Sequence, residues 1–229
     1  SKQLSGLGVD EHMVEGAIRR LGLNADRPYE WVDDELKALG IEFRHLTKPM
    51  IIACNKSDAP SATENIKRLK ETFSGYTVIE CSAESELALK EAAKHKLIEY
   101  VPGGRSFSII SESNLSDSQK AGLEFIRAQV LERLESTGVQ KIINAAVLGL
   151  LKQIAVYPVA TSHLQDKEGN VLPDCFLVPE GITAHQFAYK VHTDIGDHFI
   201  RAVDLRTKQV IGKDHSLKNG DVIEIITGG

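Results

Sequence analysis

The sequence predicts an α/β fold built on a parallel βαβ unit, followed by a smaller α+β fold. Two short apolar runs, 50–54 and 76–81, flank a stretch of helical periodicity, and each run ends in a polar loop. From residue 157 the texture changes to short strand-like runs around a single helical one. The chain of 229 residues, 42% hydrophobic, is long enough for both cores. The expected division is 1–155 and 156–229.

Residues 1–47 read as helical. Asp10 is a candidate cap for a helix whose Met13, Val14, Ala17, Ile18 and Leu21 form one stripe, with Gly22 as the stop. A second stripe runs through Leu36, Leu39, Phe43 and Leu46, with Trp31 as an anchor at its start. Core packing accounts for both. The run 50–54 is apolar on both alternating faces, which marks a buried strand, and Pro49 stands at its start, where a missing N–H costs least. Ser61 and Glu64 have capping-box spacing before a helix with Ile66, Leu69 and Phe73 on one face. The second strand, 76–81, follows and ends in Ser82-Ala83.

Residues 84–155 read as mostly helical. A helix over 85–96 leads to a connector over 100–113 that contains Pro102-Gly103-Gly104. Ser116 and Gln119 form a second capping box, opening a helix through Leu123, Ile126, Val130 and Leu134. Thr137-Gly138 breaks it, and a further helix is expected over 139–154. The spaced glutamates read as a solvated face, with no catalytic constellation.

In the last segment Val159 opens a strand, 166–170 is a turn and 171–178 returns as a strand. Thr183 caps a helix over 184–192. Short strands follow at 199–203, 209–211 and 222–226, the last after the turn Asn219-Gly220-Asp221. Two strands, a helix and further short strands make a β-grasp, or ubiquitin-like, pattern. This half holds all the strands of its own fold, so 157–229 is expected to fold by itself. Two parallel strands alone are marginal, so 1–155 alone is expected to be loose.

Composition narrows the function. A net charge of −5 gives no general attraction to nucleic acid or acidic membranes. No run approaches the roughly 18 apolar residues of a membrane span, and residues 1–30 lack the signal-peptide pattern. Three dispersed cysteines fit a reducing cytoplasm, with Cys54 and Cys81 read as core thiols. Residues 157–229 carry seven lysines and arginines against ten carboxylates, which is no basic stripe for phosphates. Their histidines lack metal-ligand spacing, and His192 reads as a cap for the helix end through its ring.

The loop after the first strand, Asn55-Lys56-Ser57-Asp58, lies at the carboxyl end of that strand, where open α/β sheets bind ligands. The Asp58 carboxylate can accept two hydrogens side by side. Guanine offers such a pair on N1 and its exocyclic amine; adenine does not. Asn55 can pin the loop and meet the base edge with its amide, and the Lys56 stem can lie along the base plane. The alternative is a solvated turn of ordinary loop residues.

N-K-x-D followed by a strand ending in S-A resembles the guanine-specificity half of a P-loop GTPase. The resemblance implies that Ala83 presents its backbone N–H to the guanine carbonyl oxygen, while Ser82 shapes the turn. The phosphate-binding half has no counterpart in these 229 residues. There is no G-x-x-x-x-G-K-[ST] string, Gly103-Gly104-Arg105-Ser106 lacks the spacing and the lysine, and no D-x-x-G loop follows a strand. The implied protein is a GTP hydrolase of which this is the carboxyl-terminal part, inactive alone, binding GTP or GDP, with Mg2+ only in the full-length protein.

Two further resemblances extend this. The helical segment 1–47 is similar to an insertion before N-K-x-D in Obg-type GTPases related to the YchF group. Gly169-Asn170-Val171-Leu172-Pro173-Asp174, His192-Thr193-Asp194 and the string from Leu217 to Ile223 resemble a TGS domain. Together they look like an archaeal-type, YchF-related GTPase with TGS at its carboxyl terminus. The YchF group proper departs from N-K-x-D and is associated with ATP; Lys56 and Asp58 here imply guanine. TGS implies docking on RNA or the ribosome. The competing expectation is a non-enzymatic helical and β-grasp adaptor that binds RNA or protein without nucleotide.

Overall fold

The computed structural model describes residues 8–159, 164, 171 and 174–228. The chain divides into two compact units, Ser1–Ile143 and Asn144–Gly229. Among the described residues no helix is long and apolar enough to cross a membrane.

The first unit opens on a helical pair. Helix α1 spans Glu11–Leu21; the Asp10 side chain accepts from the Met13 N–H at 2.8 Å, and Gly22 ends the helix in the left-handed conformation. Helix α2 spans Asp33–Thr47 and buries Leu39, but Leu36 and Leu46 of the expected stripe are exposed. Trp31 does anchor the approach, through an indole N–H on the Asn24 carbonyl at 2.9 Å.

Strands β1, Ile51–Cys54, and β2, Thr77–Glu80, pair in parallel, from Ile51 opposite Thr77 to Cys54 opposite Glu80. Helix α3, Ala62–Thr72, crosses between them and buries Ile66. Its expected capping box is absent. Ser61 itself adopts helical dihedrals, so its hydroxyl is not aimed back at the first turn, and no side-chain cap forms. Helix α4, Ala83–Lys94, starts two residues earlier than expected because Ser82 caps it.

The expected connector contains a two-residue hairpin, β3 Ile98–Glu99 with β4 Ser108–Ile109. It packs with α4 and α5, Asp117–Ile126, around Leu89, Ile98, Phe107, Leu123 and Val130. The Ser116–Gln119 capping box is present in both directions. The helix then widens into a π turn over Arg127–Leu131, recovers as α6, Glu132–Leu134, and ends at Glu135 in the left-handed conformation. Helix α7 spans Val139–Asn144 and runs on as a second π segment, Ala145–Leu150.

The expected helix over 139–154 therefore stops short. Ile154 and Val156 lie in β5, Gln153–Val159, where alternation sends both into the core. The strand begins at Gln153 rather than at the expected Val159, and the expected division at 155/156 falls inside it. Strands β6 Phe176–Pro179, β7 Phe199–Asp204, β8 Gln209–Ile211 and β9 Asp221–Thr227 complete a sheet of order β6-β5-β9-β7-β8. β5 and β9 are parallel and the other pairs antiparallel. Helix α8, Ala184–Val191, capped by Thr183, lays the fully buried Phe187 on this sheet, and α9, Thr193–Asp197, follows. This is the β-grasp arrangement. The expected turn at 166–170 and most of the string 169–174 lie outside the described residues.

A piece covering 144–229 is expected to melt in one cooperative transition. A piece beginning at Tyr157 loses Ile154 and Val156 and should be less stable by several kcal/mol, since truncating one large core side chain costs about 2–5 kcal/mol. Equal urea midpoints for the two pieces would contradict this.

Candidate functional site

The in-register pairing of β1 and β2 ends both strands at one edge, so their loops meet. Asn55 joins them. Its Oδ1 accepts from its neighbour's N–H, that of Lys56, at 2.9 Å and from the Ala83 N–H across the gap at 3.0 Å. With Oδ1 so engaged, Nδ2 is the atom Asn55 offers a base. The Ala83 N–H, expected to face the guanine carbonyl, is thus held by Asn55. Lys56 is exposed and has φ 60°, a left-handed conformation costly for a residue with a Cβ. Asp58 is half-buried two residues on.

Ser57, the variable position of N-K-x-D, is the residue sequence reasoning passed over. It is 1% exposed. Its N–H and its hydroxyl both donate to the Cys81 carbonyl, at 3.1 and 2.9 Å. Ser82, also buried, has its hydroxyl against that of Ser85 at 2.8 Å and accepts from the Ser85 N–H at 3.4 Å, so it caps α4 and shapes the turn.

A third segment closes the site from below. The Ser82 N–H donates to the Thr137 carbonyl at 2.8 Å, and the Arg133 guanidinium donates to the Ser57 carbonyl. The fully buried Thr137 hydroxyl donates to Glu86 Oε2, which also accepts from Tyr100 at 2.8 Å. Burial, with the Glu86 carboxylate as acceptor, pushes the Tyr100 phenol up to about 12. Gly138, φ 82°, lies against β2 so closely that a Cβ would stand 2.0 Å from the Glu80 carbonyl oxygen. The sequence offered only Thr137-Gly138 as a helix break, with no sign of what the break approaches.

Cys54 and Cys81 lie side by side under these loops, the Cys81 N–H donating to the Cys54 carbonyl at 2.9 Å. Burial pushes both thiols up, so both are protonated at neutral pH. In the β-grasp unit His192 turns its ring Nδ1 to the Asp194 N–H at 3.2 Å, capping the start of α9. Among the described residues no cluster of three or more His, Cys, Asp or Glu side chains could hold a metal ion.

What the two loops present is an amide nitrogen, a lysine stem and a half-buried carboxylate at the end of a parallel strand pair. Residues 53–161, which include all of these, match the family described as Obg-like GTPase YGR210-like, G4 motif-containing domain, and residues 167–227 match the TGS domain.

The chain carries the G4 motif-containing domain of the YGR210-like Obg-like GTPases, followed by a TGS domain.

Its relatives agree. An uncharacterized GTP-binding protein of Methanocaldococcus jannaschii is 44% identical over 98% of this chain and 56% of its own length. One from Schizosaccharomyces pombe is 31% identical over 82% of this chain and 48% of its own. A crystal structure of a GTP-binding protein from Pyrococcus horikoshii is 42% identical, with TM-score 0.67 over 99% of this chain and 59% of that one. The YGR210-like chain thus spans about half the length of the relatives it matches.

Proposed function

We propose that this YGR210-like chain supplies the guanine-recognition half of a nucleotide site. The Asp58 carboxylate accepts from guanine N1–H and the exocyclic amine, Asn55 Nδ2 meets the purine edge, and the Lys56 stem covers the base plane. Ser82 and Ala83 hold the first turn of α4 under the base carbonyl oxygen, with the Ala83 N–H shared between that oxygen and Asn55. The observation that carries this reading is the Asn55 bridge, since one side chain pins the N-K-x-D loop to the S-A loop.

GTP or GDP is the nucleotide, and hydrolysis with Mg2+ belongs to the full-length protein. The TGS unit is a docking module for RNA or the ribosome in the cytoplasm, a reading supported by the TGS match and not by charge. The test of the base site is competition against a fluorescent GDP analogue bound to this chain. Unlabelled GDP is expected to displace it and ADP to fail at the same concentration. Equal displacement by both would end the guanine reading.

A further inference from the structure

The bonds beneath the base loops form a connected set with one direction of consequence. The Ser57 carbonyl and the Asp58 N–H belong to one planar peptide unit. Whatever holds that carbonyl fixes the plane from which the Asp58 side chain departs. Arg133 holds it, from 76 residues downstream. On the other side, the Cys81–Ser82 peptide unit is held at its oxygen by Ser57 and at its nitrogen by the Thr137 carbonyl.

Arg133 is itself aimed. Its Nε donates to the Gln129 carbonyl at 3.2 Å, within the π turn Arg127–Leu131. That turn closes with an i to i+5 bond, the Glu132 N–H on the Arg127 carbonyl, which rotates the residues beyond it relative to a plain α-helix. Glu80 does not monopolise the guanidinium. Its Oε1 pairs with Lys70 at 2.8 Å, while Oε2 stands 3.8 Å from Arg133 Nη1. The planar fork can serve both oxygens because its donors are fixed relative to one another.

We propose that Arg133 is a positioning residue for base discrimination: by holding the carbonyl of the Ser57–Asp58 peptide unit it aims the Asp58 carboxylate at the guanine amine. The inference rests on the guanine reading above. It separates two quantities. Overall affinity comes from every contact with the nucleotide, whereas preference for guanine over hypoxanthine comes from the one exocyclic amine that Asp58 accepts.

The experiment is calorimetric binding of GDP and of IDP to this chain, unsubstituted and as Arg133→Ala and Arg133→Lys, with thermal melts of each. The unsubstituted chain should prefer GDP by about tenfold, the worth of one charge-assisted bond. Arg133→Ala should cut that preference to about twofold, with GDP losing more affinity than IDP, because IDP shares only the N1–H bond to Asp58 and has no exocyclic amine to lose. Arg133→Lys, which keeps a donor but not the fork, should fall between. A folded Arg133→Ala with an unchanged ratio overturns the proposal, as does an equal loss for both nucleotides, which would mean general loosening. If Arg133→Ala does not fold, Arg133→Lys decides on the same criteria: a lowered ratio supports the proposal and an unchanged one overturns it. No preference, or no binding, in the unsubstituted chain defeats the guanine reading itself and the proposal with it.

Discussion

Asp58→Asn should reverse the base preference of this protein. The substitution replaces a carboxylate that accepts two hydrogens with an amide that accepts on one side and donates on the other. Guanine then faces a donor where its own amine donates. Xanthine, which carries a carbonyl at that position, finds a matching donor. Losing a hydrogen bond to a charged group costs about 1.5–3 kcal/mol, so GDP affinity should fall by roughly ten- to a hundredfold while that for xanthosine diphosphate rises. Asp58 is only half-buried and sits at a loop end, so the melting temperature should hardly change. A GDP affinity equal to that of the unsubstituted chain would reduce Asp58 to an ordinary loop residue.

Gly138→Ala should have the largest effect on stability. Gly138 has φ 82°, and the added Cβ would stand 2.0 Å from the Glu80 carbonyl oxygen and 2.8 Å from the Cys81 Cα. The obstruction is backbone, so no side chain can swing aside. The left-handed conformation alone costs a residue with a Cβ about 1–2 kcal/mol. The overlap adds the displacement of the Ser136–Gly138 turn from β2, and with it the Thr137 carbonyl from the Ser82 N–H. The total should reach about 4 kcal/mol, among the severe values for one substitution. On the guanine reading proposed above, base binding should be lost with it, because the Thr137 carbonyl no longer holds the Ser82 N–H. A urea midpoint unchanged in Gly138→Ala would show that the turn does not lie where it is described.

The strands that carry the site were legible because their residues leave little choice. An apolar run of four or five residues between a proline and a polar loop reads as a strand, and Thr183 reads as a cap before the helix that carries Phe187. The Ser61 box was not legible. Capping spacing is necessary for the bonds but does not set the dihedrals of the capping residue, and here Ser61 is already helical. The end of α7 failed for a related reason. Ile154 fits a helical stripe and a strand alternation equally well, and only pairing with Val178 and burial beside Val156 decide for the strand.

By itself, the sequence determined the chemistry at the tips of the loops: N-K-S-D and S-A specify carboxylate, amide and lysine stem, and chain order alone puts each after a strand. Tertiary structure decided how those tips are held. Asn55 reaching Ala83, Ser57 turning inward onto Cys81, and Arg133, Thr137 and Gly138 arriving beneath them are contacts between segments 24 to 76 residues apart. Their partners are backbone carbonyls and N–H groups, which every residue carries. A side-chain pattern therefore leaves no mark of them until the chain has folded.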